Sequence, residues 1–219
     1  MEVIARIHND FPTKFGLPRQ SSLAPSLRSK IVFEPAYRVP EALRGLDGFS
    51  HIWLIWGFSA DHWSPTVRPP RLGGNVRMGV FATRSPFRPN PIGLSSVRLE
   101  SIEADGENGR VLIVTGADLM DGTPIYDIKP YLPGVDAHPD ATAGFVDEHP
   151  QNLLDVEVAP ELAARLSDSQ LATLREILAQ DPRPAYHAAR NDAGRIYGLS
   201  YAGFDLHFTV DGQLLKAFL

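Results

Sequence analysis

The chain has no cysteine and only three methionines and three tryptophans among 219 residues. Without cysteine there can be no disulfide, no thiolate zinc site and no cysteine nucleophile, and a reducing, cytoplasmic setting is the expectation. Long apolar runs are also missing. The longest candidate, residues 52–58, falls far short of the roughly 18–20 residues that a membrane span needs. The opening MEVIARIHND has no basic stretch followed by an apolar one, so no export signal is expected. The seven histidines (8, 51, 62, 138, 149, 187 and 207) never fall at H-x-H or H-x-x-x-H spacing, so no metal is expected. His51, inside an apolar strand pattern, reads as a satisfied core residue.

Nucleotide signatures are absent as well. No G-x-G-x-x-G follows a strand pattern, and neither a phosphate-binding P-loop nor a G-x-S-x-G elbow occurs. A formal net charge of −5 argues against non-specific coating of nucleic acid, which draws on a large positive surface. One further absence is local. Residues 62–99 contain no Asp or Glu, yet they hold six arginines: Arg68, Arg71, Arg77, Arg84, Arg88 and Arg98.

That basic stretch includes RPPRLGGNVRMGVFATRSPFRPNPIGLSSV, in which prolines fix φ along an irregular path and Gly73 and Gly74 permit tight turns. Stiff backbone lowers the entropy cost of holding guanidinium forks against carboxylate or phosphate. The alternative is a solvated loop whose arginines pair with acids elsewhere. A second cluster, GADLMDGTPIYDIKPYLP, gathers Asp118, Asp121, Asp127 and Lys129 in turn-rich sequence. Carboxylates there could hold ribose hydroxyls or take a proton, although Asp121-Gly122 is equally an ordinary turn dipeptide. KFGLPRQ (residues 14–20) and DPRPAYHAAR (181–190) are two more proline-constrained basic segments. The second interleaves an aromatic with arginines, which suits stacking on unpaired bases.

Residues 30–37, 50–58, 76–83 and 110–117 are rich in β-branched and aromatic residues and read as strands, with DGENG (105–109) a hairpin turn. One short helix is expected over residues 39–46, closed by Gly45 or Gly48. Many short strands suggest an antiparallel sheet closed into a barrel or sandwich. Beyond residue 150 the pattern changes. Leu171, Leu174 and Leu178 share helical spacing, Ser167 and Gln170 fit a capping box, and Pro182 stops the helix. Two strand-like runs follow. The expectation is a mainly β chain of α+β class, divided into residues 1–150 and a small α+β unit over 151–219.

Taken together, LPRQ, GLDGFSHIWLIWGF, the long arginine motif, LMDGTPIYDIKPYLP and DPRPAY resemble the TsaA-like tRNA methyltransferase family, also called tRNA methyltransferase O. The likeness runs along nearly the whole chain. It implies an N-terminal antiparallel β-barrel unrelated to Rossmann methyltransferases, a small C-terminal α+β domain that contacts tRNA, and a homodimer. It also implies binding of S-adenosylmethionine and N6-methylation of threonylcarbamoyladenosine at position 37, in the anticodon loop of a threonine tRNA. Cofactor contacts of the family carry over onto Pro18, Arg19, Gln20, Arg84, Leu94, Leu119, Met120, Asp121 and Gly122. Ser59 and Ala60 stand where the family has a His-Gln pair. Asp121 is the candidate catalytic proton acceptor. Arg88, Asn90, Lys129, Arg183 and Tyr186 are the candidate substrate contacts, with Arg84 or Arg88 reading the carboxylate of the modified base. The competing readings are a non-catalytic RNA-binding barrel and a methyltransferase acting on a small molecule.

Overall fold

The computed structural model describes residues 1–72, 76–149, 152–184 and 194–219, with Arg71 by its main chain alone. Strands β1 (Ala5–His8), β2 (Arg28–Phe33), β3 (His51–Gly57), β6 (Ile92–Ala104), β7 (Arg110–Thr115) and β8 (Pro124–Pro130) close a barrel in the order β1-β2-β7-β6-β3-β8. Every neighbouring pair is antiparallel. Side chains alternate across each strand, so Ile7, Ile31, Ile52, Leu54, Val97, Leu112 and Val114 meet inside while their sequence neighbours face out. This alternation makes the barrel interior a packed core.

Two expected elements take other forms. Within residues 76–83 only β5 (Met78–Gly79) is extended, paired with β4 (Thr66–Val67), and a 3₁₀ turn over Val80–Ala82 follows. Prolines 65, 69 and 70 flank β4 and cannot donate to a ladder, which limits the ribbon to two residues a strand. The expected helix over residues 39–46 is a pair of 3₁₀ turns, Pro40–Leu43 and Leu46–Gly48, separated by Gly45 at φ +84°. His51 also departs from expectation. It starts β3 on the outward face, half-buried against Tyr131 and beside the Ser50 hydroxyl, rather than in the core.

After the single helical turns α1 (Pro133–Asp136) and α2 (Phe145–Glu148), the chain enters an α+β unit. Its sheet comprises β9 (Asp155–Val158), β10 (Tyr197–Tyr201), β11 (Phe204–Asp211) and β12 (Leu214–Phe218), in the order β10-β11-β12-β9 with β9 parallel to β12. α3 (Pro160–Ala163) precedes α4 (Asp168–Ala179), whose start carries the expected capping box between Ser167 and Gln170. Leu174, Ile177 and Leu178 of α4 pack on Leu199, Leu206 and Phe208 of the sheet. Phe11, Ala24 and Leu27, from the connection between β1 and β2, are buried in this same cluster. The connection between β1 and β2 thus lies in the core of the α+β unit, which is separate from the barrel's own.

Candidate functional site

Antiparallel closure decides what can meet. β1, β3 and β7 end, and β2, β6 and β8 begin, at the same end of the barrel. Three connections converge there: residues 9–27, 58–91 and 116–123. These connections, or the strand starts beside them, hold Pro18, Arg19, Gln20, Ser59, Ala60, Arg84, Arg88, Asn90, Leu94 and Leu119 to Gly122. They lie up to 104 residues apart in sequence, from Pro18 to Gly122.

The 58–91 excursion folds back on itself through Phe58 N–H to Pro91 O at 2.8 Å and Ser64 N–H to Phe87 O at 3.1 Å. Arg88 stiffens it from within. Its Nη1 donates to the carbonyls of Val80 (3.1 Å) and Thr83 (2.7 Å), and its guanidinium lies 5.5 Å from the Phe81 ring centroid. Arg77 donates to Thr66 Oγ1 at 2.6 Å, and Arg84 donates to Gln20 Oε1. Arg68, Arg77, Arg84 and Arg98 are exposed. Among the described residues no arginine of this stretch forms an ion pair with a carboxylate within 4.0 Å.

The carboxylate that keeps company with Arg84 is Asp118. It accepts a hydrogen bond from Ser95 Oγ at 2.5 Å, and that hydroxyl accepts from Trp56 Nε1 at 3.0 Å. The Ser21 main chain also favours its charged form, and Ser22 N–H donates to Gly116 O at 2.8 Å, which ties the 9–27 connection to the 116–123 loop. Burial pushes the Asp118 carboxyl above the ordinary carboxylate value. The Ser95 hydrogen bond and the Arg84 charge pull it partly back. Gly93 leaves room for the Trp56 indole, since a Cβ there would collide with it. Leu94, the next residue, holds its side chain in the open at 58% exposure.

Asp121 lies elsewhere. The 116–123 loop crosses the barrel mouth, and Leu119, fully buried, plugs the core from above. Past that plug, Asp121 Oδ1 accepts from Asn9 N–H at 3.1 Å and pairs with His8 Nδ1 at 3.2 Å, beside β1. β1 and β6 are three strands apart in a six-stranded barrel, so Asp118 and Asp121 occupy opposite sides of the mouth. The expected cluster of Asp118, Asp121, Asp127 and Lys129 is thus dispersed. Asp127 and Lys129 pair at 2.9 Å on the wall of β8. Lys129 sits four residues beyond Ile125, about 13 Å from the mouth at strand spacing. The main chain of 119–122 is committed too. Leu119 O, Met120 O, Asp121 N, Gly122 N and Gly122 O are bonded to Asn9, Thr123, Phe11, Ile7 and Arg6 respectively.

Arg183 turns inward. It is 8% exposed and grips Asp181 through Nε and Nη2, each at 2.7 Å, so its guanidinium already has its anion. Arg19 Nη2 donates to the carbonyls of Asp181 (3.2 Å) and Arg183 (3.5 Å). Tyr186 lies outside the described residues. Sequence reasoning passed over Ser95, Trp56 and the His8–Asp121 pair. Ser95 had a readable signal, being a polar residue at an inward position between Gly93 and Val97. The histidine and its carboxylate, 113 positions apart, had none.

Fold and site together define a barrel with an arginine-bearing mouth, one of whose connections is buried in the core of an α+β unit. Both parts have relatives. Residues 6–137 match the family model of the tRNA-methyltransferase O N-terminal domain, and residues 151–217 match that of the TrmO C-terminal domain. The chain belongs to the tRNA-methyltransferase O family. It is 41% identical over 231 residues to an Escherichia coli (strain K12) protein named "tRNA (adenine(37)-N6)-methyltransferase", covering 99% of this chain and 95% of that one. A Pyrococcus abyssi protein named "Probable S-adenosyl-L-methionine-binding protein" is 35% identical over 150 residues, 68% of this chain and 77% of that one. A crystal structure of TrmO from Pseudomonas aeruginosa superimposes with a TM-score of 0.79 at 38% identity, covering 99% of this chain and 95% of that one.

Proposed function

We propose that this chain is a cytoplasmic, homodimeric, S-adenosylmethionine-dependent tRNA methyltransferase acting on N6 of adenosine 37. Its preferred substrate is the threonylcarbamoyl form of that adenosine in the anticodon loop of a threonine tRNA. Family membership supports the class of reaction. The observation that carries the assignment for this chain is the barrel mouth itself. There exposed arginines are braced by neutral oxygens, so their charge is left for an anion from outside. On this reading residues 1–150 carry the cofactor and 151–219 contact the tRNA.

The residues present suit the cofactor, which combines a carboxylate, two cationic centres and an adenine. Arg84 offers a fork to a carboxylate, Asp118 a compensating negative charge, and Leu94 and Phe81 exposed apolar surface. Gln20 accepts from Arg84, and on this reading Pro18, Arg19, Ser59 and Ala60 complete the cofactor contacts. S-adenosylmethionine brings a methyl group already activated by its sulfonium charge. The work left to the chain is to hold the adenosine nitrogen in line with that methyl, and positioning can contribute about 7–11 kcal/mol in well-oriented systems. Asp121, backed by His8, is the chain's candidate acceptor for the N6 proton. Arg88 and Asn90 stand on the excursion from which the carboxylate of the modified base is read. A site that pairs a buried charge rejects an analogue lacking the partner group. Trp63, Val76, Phe81, Ile92 and Leu94, all exposed on the excursion and its end, supply apolar surface for a second protomer.

The test is methyl transfer from labelled S-adenosylmethionine to threonine tRNA with and without the threonylcarbamoyl group. Label in the modified tRNA alone is the expected result. Equal labelling of both keeps the enzyme and removes the carboxylate reading, and no label in either overturns the assignment.

A further inference from the structure

Residues 9–27 form a connection without helix or strand, yet every part of it is held. Connections of this length are uncommon in compact domains and are usually functional. On the barrel side, Gln20 takes Arg84, Ser22 N–H donates to Gly116 O at 2.8 Å, and the Ser21 main chain between them favours the charged form of Asp118. The opposite side is held by α4. Ser26 donates through N–H (3.0 Å) and Oγ (2.7 Å) to the two oxygens of Glu176, and Gln180 Nε2 donates to Leu23 O at 2.7 Å. Just beyond α4, Asp181 adopts a left-handed φ of +52°, which the Arg183 fork secures. Its carbonyl and that of Arg183 then receive Arg19.

Glu176 and Gln180 are four residues apart and so lie on one helix face, next to Leu174, Ile177 and Leu178, which bury Ala24 and Leu27. Adhesion between the units would need only that apolar contact. Fixing separate main-chain groups of one loop, from Arg19 to Ser26, instead sets the loop's conformation.

We propose that Glu176 and Gln180 are positioning residues for the cofactor. They shape residues 19–27 from behind so that Gln20 and Ser21 meet Arg84 and Asp118 in register. The α+β unit thereby acts on the methyl-donor site before any tRNA is bound. This inference rests on the reading of residues 18–20 as cofactor-binding.

The experiment is calorimetric titration of S-adenosylmethionine, without RNA, into the full chain and its Glu176→Ala, Glu176→Gln, Gln180→Ala and Ser167→Ala variants. Ser167 caps the far end of α4, and its hydroxyl bonds with Gln170, whose Nε2 reaches Asp10 rather than residues 19–27, so its loss lowers the melting temperature while leaving the contacts of residues 19–27 in place. Glu176→Ala and Gln180→Ala are expected to raise Kd about tenfold each. Glu176→Gln, which keeps an acceptor for Ser26, is expected to fall between wild type and Glu176→Ala, and Ser167→Ala to stay within about twofold. Wild-type affinity in both alanine variants, or equal weakening in Ser167→Ala, overturns the proposal. If the wild type takes up no cofactor, the cofactor reading fails, and hydrogen exchange then decides the positioning role. Faster exchange at the Ser21 and Ser22 amides in Glu176→Ala but not in Ser167→Ala upholds it, and unchanged exchange refutes it.

Discussion

Asp118→Asn removes one charge from the barrel mouth and keeps its shape. In the folded chain the carboxylate loses water. The Ser95 hydroxyl at 2.5 Å, the Ser21 main chain and the charge of Arg84 offset only part of that loss, so its pKa stands above the ordinary value. The sign of the consequence follows. The folded state binds the proton more tightly than the unfolded state, whose pKa is about 3.9. Stability supplied by this group is therefore complete below that value and is lost as pH rises through the folded pKa, at no more than about 1.36 kcal/mol per pH unit. Once ionised, Asp118 is a standing cost that asparagine does not carry.

Asp118→Asn is thus expected to be at least as stable as the wild type at neutral pH, and to lack this part of the acid dependence. Cofactor affinity should move the other way. Loss of a charge-assisted contact is worth about 1.5–3 kcal/mol, a rise of about 10- to 150-fold in Kd, because the negative charge that compensates the cofactor's cationic centres is gone. Urea melts from pH 4 to 8 and calorimetric titration with S-adenosylmethionine read the two effects separately. A variant destabilised by more than about 1 kcal/mol at pH 7 that still binds with wild-type affinity would refute the reasoning, because Asp118 would then serve packing rather than charge.

Gly93→Ala drives a methyl group into the Trp56 indole, so overpacking of about 1–3 kcal/mol is expected, with a shifted tryptophan emission and weakened cofactor binding. Arg68→Gln with Arg77→Gln should weaken tRNA binding evenly across sequences and lower the slope of log K against log salt by about 1 for each arginine that meets a phosphate, read by binding isotherms from 50 to 200 mM salt. Asp121→Asn should lower kcat while leaving the KM for the cofactor near wild type, since this carboxylate sits across the mouth from Arg84; steady-state kinetics separate the two.

The barrel wall was legible because its signal is local. β-Branched and aromatic residues along 51–57 and 110–115, and turn residues at 105–109, mark the strands and the hairpin; which side chains face inward was less plain, since Val111 to Val114 are all buried. The capping box at Ser167 was legible for the same reason. The site was less so. DLMDGT contains two aspartates three positions apart, and nothing in their spacing separates them; the family resemblance pointed to Asp121 rather than Asp118. Only the path of the loop around the Leu119 plug sends one carboxylate toward Arg84 and the other toward His8. Arg183 was misjudged for a related reason. A proline-flanked arginine after a helix resembles a free cation until the left-handed turn at Asp181 folds the acid back onto it.

The pairing of charges explains how a chain of net charge −5 can carry a site for anions. Outside the 58–91 excursion several cations are matched by carboxylates: Arg6 with Glu34, Arg28 with Glu100 and Glu103, Lys30 with Asp105, Arg183 with Asp181. Within the 58–91 excursion the same guanidinium groups are braced by a threonine hydroxyl, a glutamine carbonyl and main-chain oxygens. Neutral acceptors orient an arginine as firmly as a carboxylate does and leave its charge unspent. The lack of acids between residues 62 and 99 is then a structural requirement. One Asp among them would pair with its nearest arginine and close the site to an outside anion. The carboxylate nearest Arg84, Asp118, arrives from another loop and is buried behind Ser95, where it can balance Arg84 without covering it.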